Sequence, residues 1–477
     1  MDKEFTKKFI KGIATTGFGT FFQISLGLIS MIIAIRYLSK ADYGIFILLE
    51  VIVVLLAVLG SLGLENLSVI KLMAGSDDSR KILIANTAVS YRFLISIFLA
   101  LLIIPLKPFI LYVFKSEQLI KLTYFISIFI ILTGFQELFL KILQAYHKYK
   151  EIAVSQILSG FLRLGSVCLF IVALNMKAAG LILVYLVTLF GSIIYLGVSI
   201  PFKKRFILDF GIIKELFHFG FPLGLNNILS FIFMKIDRIM LGMMLSPMGV
   251  ASYEVASRIP DNIARMYTAF QAVYFPNLAE LFAKNKKIQA EKVLNNSIRI
   301  ISFLTIFAAV VGLLFQKEII VLLFSKKYID SSSAFALLMF CFSIALMGDI
   351  LGTSLVALGQ SDKPVKINIV DTVFNVTGNL LLIPKYGIMG AVFATLVSRV
   401  VTNPFIVYFL KKAGVNIRFR NYLKPILLFL FIAFFTLIFP PKAIMVRLLI
   451  IAVFLGLSFL LSLVKIKDIK VLLQKHG

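Results

Sequence analysis

Long apolar runs, broken at short intervals by polar clusters, dominate this chain. Stretches such as 94–106 and 125–135 lie inside windows of roughly 20 mostly apolar residues, the length needed to cross ~30 Å of hydrocarbon. A run that long satisfies its own backbone in lipid only as a helix. The pattern therefore predicts an all-α integral membrane protein with fourteen spanning helices. They fall near 13–37, 44–64, 83–105, 119–145, 152–174, 178–201 and 216–244. The second seven follow near 248–275, 297–323, 333–358, 363–384, 387–410, 423–440 and 443–464. Connections are short, which leaves no room for a soluble catalytic domain.

Composition agrees: 60% of the 477 residues are hydrophobic, well above a soluble domain. The net charge of +26 would suggest nucleic acid in a soluble protein. Here the Lys and Arg residues sit in short blocks between apolar runs, as juxtamembrane anchors do, so no nucleic-acid partner is expected. Assigning the N-terminus and every second loop to the cytoplasm collects Lys71/Arg80/Lys81, 203–205, Lys284/Lys286/Lys287 and Lys411/Lys412/Arg418/Arg420 on one side. That asymmetry predicts a multi-pass protein of the cell membrane with both termini cytoplasmic, the basic tail 466–477 included. The lysines at 7, 8 and 11 precede an apolar stretch without a small-residue cleavage site, so it is expected to remain as the first helix. Two cysteines and three scattered histidines offer neither a disulfide framework nor a metal site. No cofactor is expected.

The two halves echo each other. Leu38-Ser39 before Tyr43-Gly44 is matched by Leu245-Ser246 before Gly249 and Tyr253, and Ala179-Gly180-Leu181 by Met389-Gly390-Ala391. Six helices per half predict two lobes of one orientation, related by an axis along the membrane normal. The expected boundaries are 1–201 for the N-lobe, 202–215 for a cytoplasmic linker, 216–411 for the C-lobe and 423–465 for two added, lipid-facing helices. The basic and aromatic stretch 202–217 suits a helix on the inner leaflet surface.

Ionisable groups inside spans are costly and mark cavities or partners. The eighth span is richest: Glu254, Arg258, Asp261 and Arg265 recur at spacings that put all four on one helix face. The arginines suit an anionic group in a hydrated cavity, with Glu254 and Asp261 as acidic or gating partners. A self-neutralising ladder is the alternative. Lys235 and Arg238 share a face of the seventh span, and Arg36 and Glu50 are the first-half candidates; Arg36 also fits an interfacial snorkeller. For Arg92, Arg163 and Arg399, pairing with Glu137, Asp349 or Asp371 competes with ligand contact. Asp371 and Asn375 are four apart on the eleventh span, and Asn375, Asp237 and Thr395 fall at similar depth. These four oxygen ligands form a candidate site for a monovalent cation, Na+ or H+. Against that, Arg399 lies one turn from Thr395 and can neutralise Asp371.

Three stretches together resemble the polysaccharide flippases of the multidrug/oligosaccharidyl-lipid/polysaccharide exporter superfamily. They are 35–44 (Ile-Arg-Tyr-Leu-Ser-Lys-Ala-Asp-Tyr-Gly), 236–242 with Gly249 and Tyr253, and 357–360 continuing from Asn375 through 381–391. The resemblance implies two six-helix lobes around a cationic cavity. It implies flipping of a polyprenyl-pyrophosphate-linked oligosaccharide from the cytoplasmic to the outer leaflet by alternating access. It also implies bilayer lipids and other polysaccharide-assembly membrane proteins as neighbours. The related lipid II flippases carry a sodium site on helices seven, eleven and twelve. Asp237, Asp371, Asn375 and Thr395 are its nearest counterparts here, with the Asp and Asn of the eleventh helix in reversed order.

Two other readings compete. A cation-coupled drug exporter of the same superfamily would carry an acidic residue in its first span, and 12–35 has none. A membrane glycosyltransferase or polymerase needs acidic groups on a long outward loop. No GxxxxGK[ST] sequence is present for a P-loop, and no Ser/His/Asp set shares one aqueous face, so an enzyme is not expected.

Overall fold

A computed structural model of the chain describes residues 3–61, 68–74 and 76–463. The basic tail at 466–477 lies outside the described residues. Every described element is helical. The chain forms two compact units, 1–251 and 252–477.

The first unit contains α1 (Lys3–Tyr37), α2 (Lys40–Ser61), α3 (Val69–Met73), α4 (Asp78–Phe114), α5 (Glu117–Lys121), α6 (Thr123–Ala145), α7 (Tyr149–Ser166), α8 (Lys177–Ser199) and α9 (Phe210–Met244). A π-helical turn, Val167–Ala173, prolongs α7. The start of α2 explains the first resembling stretch. Ser39 Oγ donates to Asp42 Oδ2 at 2.6 Å, and the Asp42 N–H donates back to Ser39 Oγ at 3.1 Å. The pair satisfies one of the orphan N–H donors at the helix start, that of Asp42. Gln118 Nε2 closes the arrangement on Asp42 Oδ1 at 3.2 Å. At 22 residues α2 is about 33 Å long, enough for one crossing. Residues 42–49 of α2 are all buried, and the helix packs on α6, α8 and α9.

α10 (Pro247–Ala283) begins in the first unit and continues into the second. The second unit adds α11 (Lys287–Leu314), α12 (Gln316–Phe324), α13 (Ser332–Ala357), α14 (Asp362–Tyr386), α15 (Ile388–Lys412), α16 (Phe419–Ile438) and α17 (Ile444–Leu460). Its packing repeats that of the first unit. There α4 packs on α6, α6 on α8 and α7 on α8; here α11 packs on α13, α13 on α15 and α14 on α15. The same pairwise order of four helices in each unit gives the sequence echo a structural counterpart.

Each of the fourteen predicted segments overlaps a helix, the ninth of them both α11 and α12. Among the described residues, eleven helices are long and apolar enough to cross a membrane. α9 and α10, of 35 and 37 residues, stand outside these eleven, and α17 is a shorter apolar helix. The chain is a multi-pass, all-α membrane protein.

Three expectations change in detail. The stretch 202–217 is not a surface helix: 203–209 is irregular, and only from Phe210 does it turn into α9. The reason is tertiary. The N–H groups of Arg205 and Ile207 donate to Asn86 Oδ1 and Ser90 Oγ of α4, each at 2.9 Å, so these donors are satisfied without helix. Asp209 then caps α9, accepting from the Ile212 N–H at 3.0 Å. α9 packs on α2 and α4 and falls in the first unit by its contacts. The predicted ninth span is divided at Phe315, where α11 ends and α12 begins.

The last two helices dock on the second unit rather than merely flanking it. Phe429 of α16 stacks on Phe340 of α13 with ring centres 4.2 Å apart, and Phe454 of α17 packs against Phe303 and Phe307 of α11. Arg447 pairs with Glu318, lies over the Phe315 ring and donates to the Pro441 carbonyl. The outer faces, Leu430, Phe431, Phe434, Leu448 and Leu449 among them, are exposed and apolar, as lipid contact requires.

The most specific resembling stretch, 381–391, is the turn from α14 into α15. Gly387 there has φ 59° and ψ −134°, a conformation open to glycine and strained for other residues. Three residues on, a Cβ at Gly390 would overlap the carbonyl group of Leu382 on α14. Backbone cannot move aside as a side chain can, so Gly390→Ala is expected to cost about 1–3 kcal/mol. The check is the thermal midpoint of the purified protein, which should fall without loss of helical content.

Candidate functional site

α10 runs unbroken through Pro260 and Pro276, so the 4-3-4 spacing does put Glu254, Arg258, Asp261 and Arg265 on one face. Their exposure is graded. Glu254 is 4% exposed and pairs with Arg258, Nη2 to Oε1 at 3.3 Å. Asp261 is half-buried and Arg265 is exposed. The stripe thus has a buried end, an ion pair packed in protein, and an exposed end at Arg265. Around it, Tyr274 and Gln271 tie α10 to α13 through Ser354 (2.9 Å) and Thr353 (2.7 Å).

The α9 candidates lie differently. Asp237 and Arg238 are buried, and Arg238 Nη1 donates to the Met234 carbonyl of its own helix at 3.1 Å. Lys235 is half-buried. Arg36 is exposed at the last turn of α1 beside exposed Tyr37, the geometry of an interfacial side chain. Glu50 is half-buried, directly after the buried run 42–49 of α2.

The second unit brings three of the four cation-site candidates together. Asp371, Asn375 and Asn379 are buried on one face of α14, each one turn apart. Asn379 Nδ2 donates to Asn375 Oδ1 at 3.0 Å, and Asn375 Nδ2 donates to Thr395 Oγ1 of α15 at 3.2 Å. Thr402 donates to Asp371 Oδ1 at 3.2 Å, while Arg399 Nη1 lies 3.5 Å from Asp371 Oδ2. Asp349 of α13, exposed, is within electrostatic reach of both Arg399 and Asp371. Asp371 Oδ1, Asn375 Oδ1 and Thr395 Oγ1 each accept from a protein donor, whereas Asp371 Oδ2 accepts no hydrogen bond and has the Arg399 guanidinium as its compensating charge. This is the pairing that Arg399 offered in the sequence. Asp237 belongs to the first unit.

Asn379 and Thr402 were not singled out by sequence reasoning, whereas Asp349 was, as a possible partner of an arginine. The 371-375-379 spacing was a readable signal for Asn379; Thr402 joins through tertiary contact alone. Of the other arginines weighed in the sequence, Arg92 is 1% exposed with its guanidinium packed against Gly134, where a Cβ would overlap it. Glu137 is exposed. Arg163 lies over the ring of Tyr185.

The family described as polysaccharide biosynthesis protein matches residues 32–333, and the chain belongs to it. Among curated relatives, the capsular polysaccharide biosynthesis protein CapF of Staphylococcus aureus is 25% identical over 46% of this chain and 55% of its own length. The probable low-salt glycan biosynthesis flippase Agl15 of Haloferax volcanii is 27% identical over 43% of this chain and 44% of its own. The chain spans about half the length of these curated relatives. The fold is similar to that of the lipid II flippase MurJ in its inward closed conformation, with a TM-score of 0.72 at 17% identity, covering 93% of this chain and 98% of that one.

Proposed function

We propose that this chain is a flippase that moves a polyprenyl-pyrophosphate-linked oligosaccharide from the cytoplasmic to the outer leaflet by alternating access, for polysaccharide assembly. The observation that carries the reading is the α10 stripe, with Arg265 exposed and Arg258 held by a buried carboxylate. A pyrophosphate cannot shed its water into hydrocarbon, because desolvating the charge is prohibitive. Arginines within a spanning helix supply an alternative shell of donors matched to phosphate oxygens. The family membership and the named flippases among the relatives support the same reading. The lipid tail would stay in the bilayer while the head group crosses along the protein.

For coupling, we propose that Na+ or H+ competes with Arg399 for Asp371, with Asn375 and Thr395 beside it. Entry of a cation there requires Arg399 to leave, which links ion binding to movement of α15 against α14.

The test is transport in reconstituted vesicles. A fluorescent polyprenyl-pyrophosphate oligosaccharide should move to the quencher-protected leaflet only when the protein is present. A lipophilic drug-like cation should not move. Transport of the cation and not of the glycolipid would replace this reading by the drug exporter.

A further inference from the structure

The first unit holds a polar cavity of about 80 Å³ that the α10 stripe does not involve. It is lined by Gln23 of α1, Gln136 of α6, Ser159 and Arg163 of α7, and Tyr185 and Thr188 of α8, with no Asp or Glu in its wall. Arg163 is its one formal charge. The guanidinium lies 4.3 Å from the centre of the Tyr185 ring, which covers one face and leaves the N–H edges free. Among the described residues Arg163 has no carboxylate partner and no protein hydrogen bond. An arginine in mid-span without a counter-ion is costly and marks a ligand or water pathway. Four residues on, α7 gives way to the π-helical turn Val167–Ala173, a distortion frequent at functional sites.

The rest of the wall refines the choice of ligand. Ser159 and Thr188 donate their hydroxyl protons to the carbonyls of Ser155 (2.8 Å) and Val184 (2.7 Å), so they face the cavity with lone pairs. Gln136 uses one Nε2 hydrogen on Ser192 Oγ at 2.9 Å. The cavity thus offers strong donors from Arg163 and acceptors from the two hydroxyls. An anion that carries both acceptor oxygens and an O–H group meets both. Hydrogen phosphate or a phosphomonoester does so at neutral pH. Sulfate, with acceptors only, would set its oxygens against the hydroxyl lone pairs. The volume suits one phosphate group or a few waters and excludes a glycan.

We infer that this cavity is a binding site for a single phosphate group, held by Arg163 and selected over sulfate by Ser159 and Thr188. The phosphate is either the free ion or the head of a phosphorylated lipid. The inference stands apart from the flippase reading, because it concerns binding and needs no transport.

Calorimetric titration of the purified protein in detergent, at constant ionic strength, tests it. Inorganic phosphate should bind saturably, and sulfate roughly tenfold more weakly, the cost of leaving buried acceptors unmet. Arg163→Gln should abolish phosphate binding, whereas Arg258→Gln should leave it. Thr188→Val should narrow the gap between phosphate and sulfate, and it keeps the proposal testable where Arg163→Gln does not fold. Polyprenyl phosphate that competes with inorganic phosphate in wild type identifies the lipid as a source; absence of competition identifies the free ion. No saturable phosphate binding by wild type, equal binding by Arg163→Gln, or an unchanged gap in Thr188→Val would overturn the inference.

Discussion

Arg265→Ala is expected to lower the rate of glycolipid transport in vesicles by about tenfold or more, with the thermal midpoint of the protein unchanged. A hydrogen bond to a charged group contributes roughly 1.5–3 kcal/mol net, which sets that scale. Arg265 is exposed on α10, so truncating it disturbs little packing. Its loss should therefore appear in transport and not in stability. Arg258 behaves otherwise. Removing it leaves Glu254, 4% exposed, without its ion partner, so Arg258→Ala should lose stability and transport together. Glu254→Gln with Arg258→Gln separates the two, because no buried charge remains. A stable but inactive double variant assigns Arg258 a part in transport, and a stable and active one confines it to structure.

The largest effect on stability is expected at Arg399. Asp371 is 1% exposed and depends on Arg399 for its compensating charge. Arg399→Ala strands that carboxylate in the protein interior, a loss of about 3–5 kcal/mol where one member of a buried pair is removed. Adding Asp371→Asn to the same chain should restore most of it, since a neutral amide tolerates burial against Thr402. The same variants read the competition proposed for ion coupling. Sodium should raise the thermal midpoint of Arg399→Ala, whose carboxylate is vacated, and leave that of Asp371→Asn unmoved. An Arg399→Ala protein as stable as wild type would show that the pair does not hold the two helices.

What the sequence made legible follows from the range of the interactions involved. Span positions were readable because each apolar run satisfies its own backbone, a local property. The α10 stripe was readable because helical spacing alone places Glu254, Arg258, Asp261 and Arg265 together. The irregular segment at 203–209 was not. Its amphipathic composition suited a surface helix, but Asn86 and Ser90, more than a hundred residues earlier, take its backbone donors instead. The cation-site candidates were half readable. Their depth could be counted along the helices, but whether Arg399 reaches Asp371 depends on how α15 is rotated against α14. The Arg163 cavity was hidden for the same reason: Tyr185 and Thr188 reach it from the next helix, and neither stands out in an apolar run. Gly390 shows the converse, a residue conspicuous in the sequence whose reason, backbone contact with α14, only the fold supplies.

The most direct test of the central claim compares two lipids in the same vesicles, one carrying the oligosaccharide on a pyrophosphate and one on an uncharged linkage. Wild-type protein should flip the pyrophosphate lipid far faster than the uncharged one, and Arg265→Ala should erase most of that difference. Equal rates for the two lipids in wild type, or an undiminished preference in Arg265→Ala, would contradict the account.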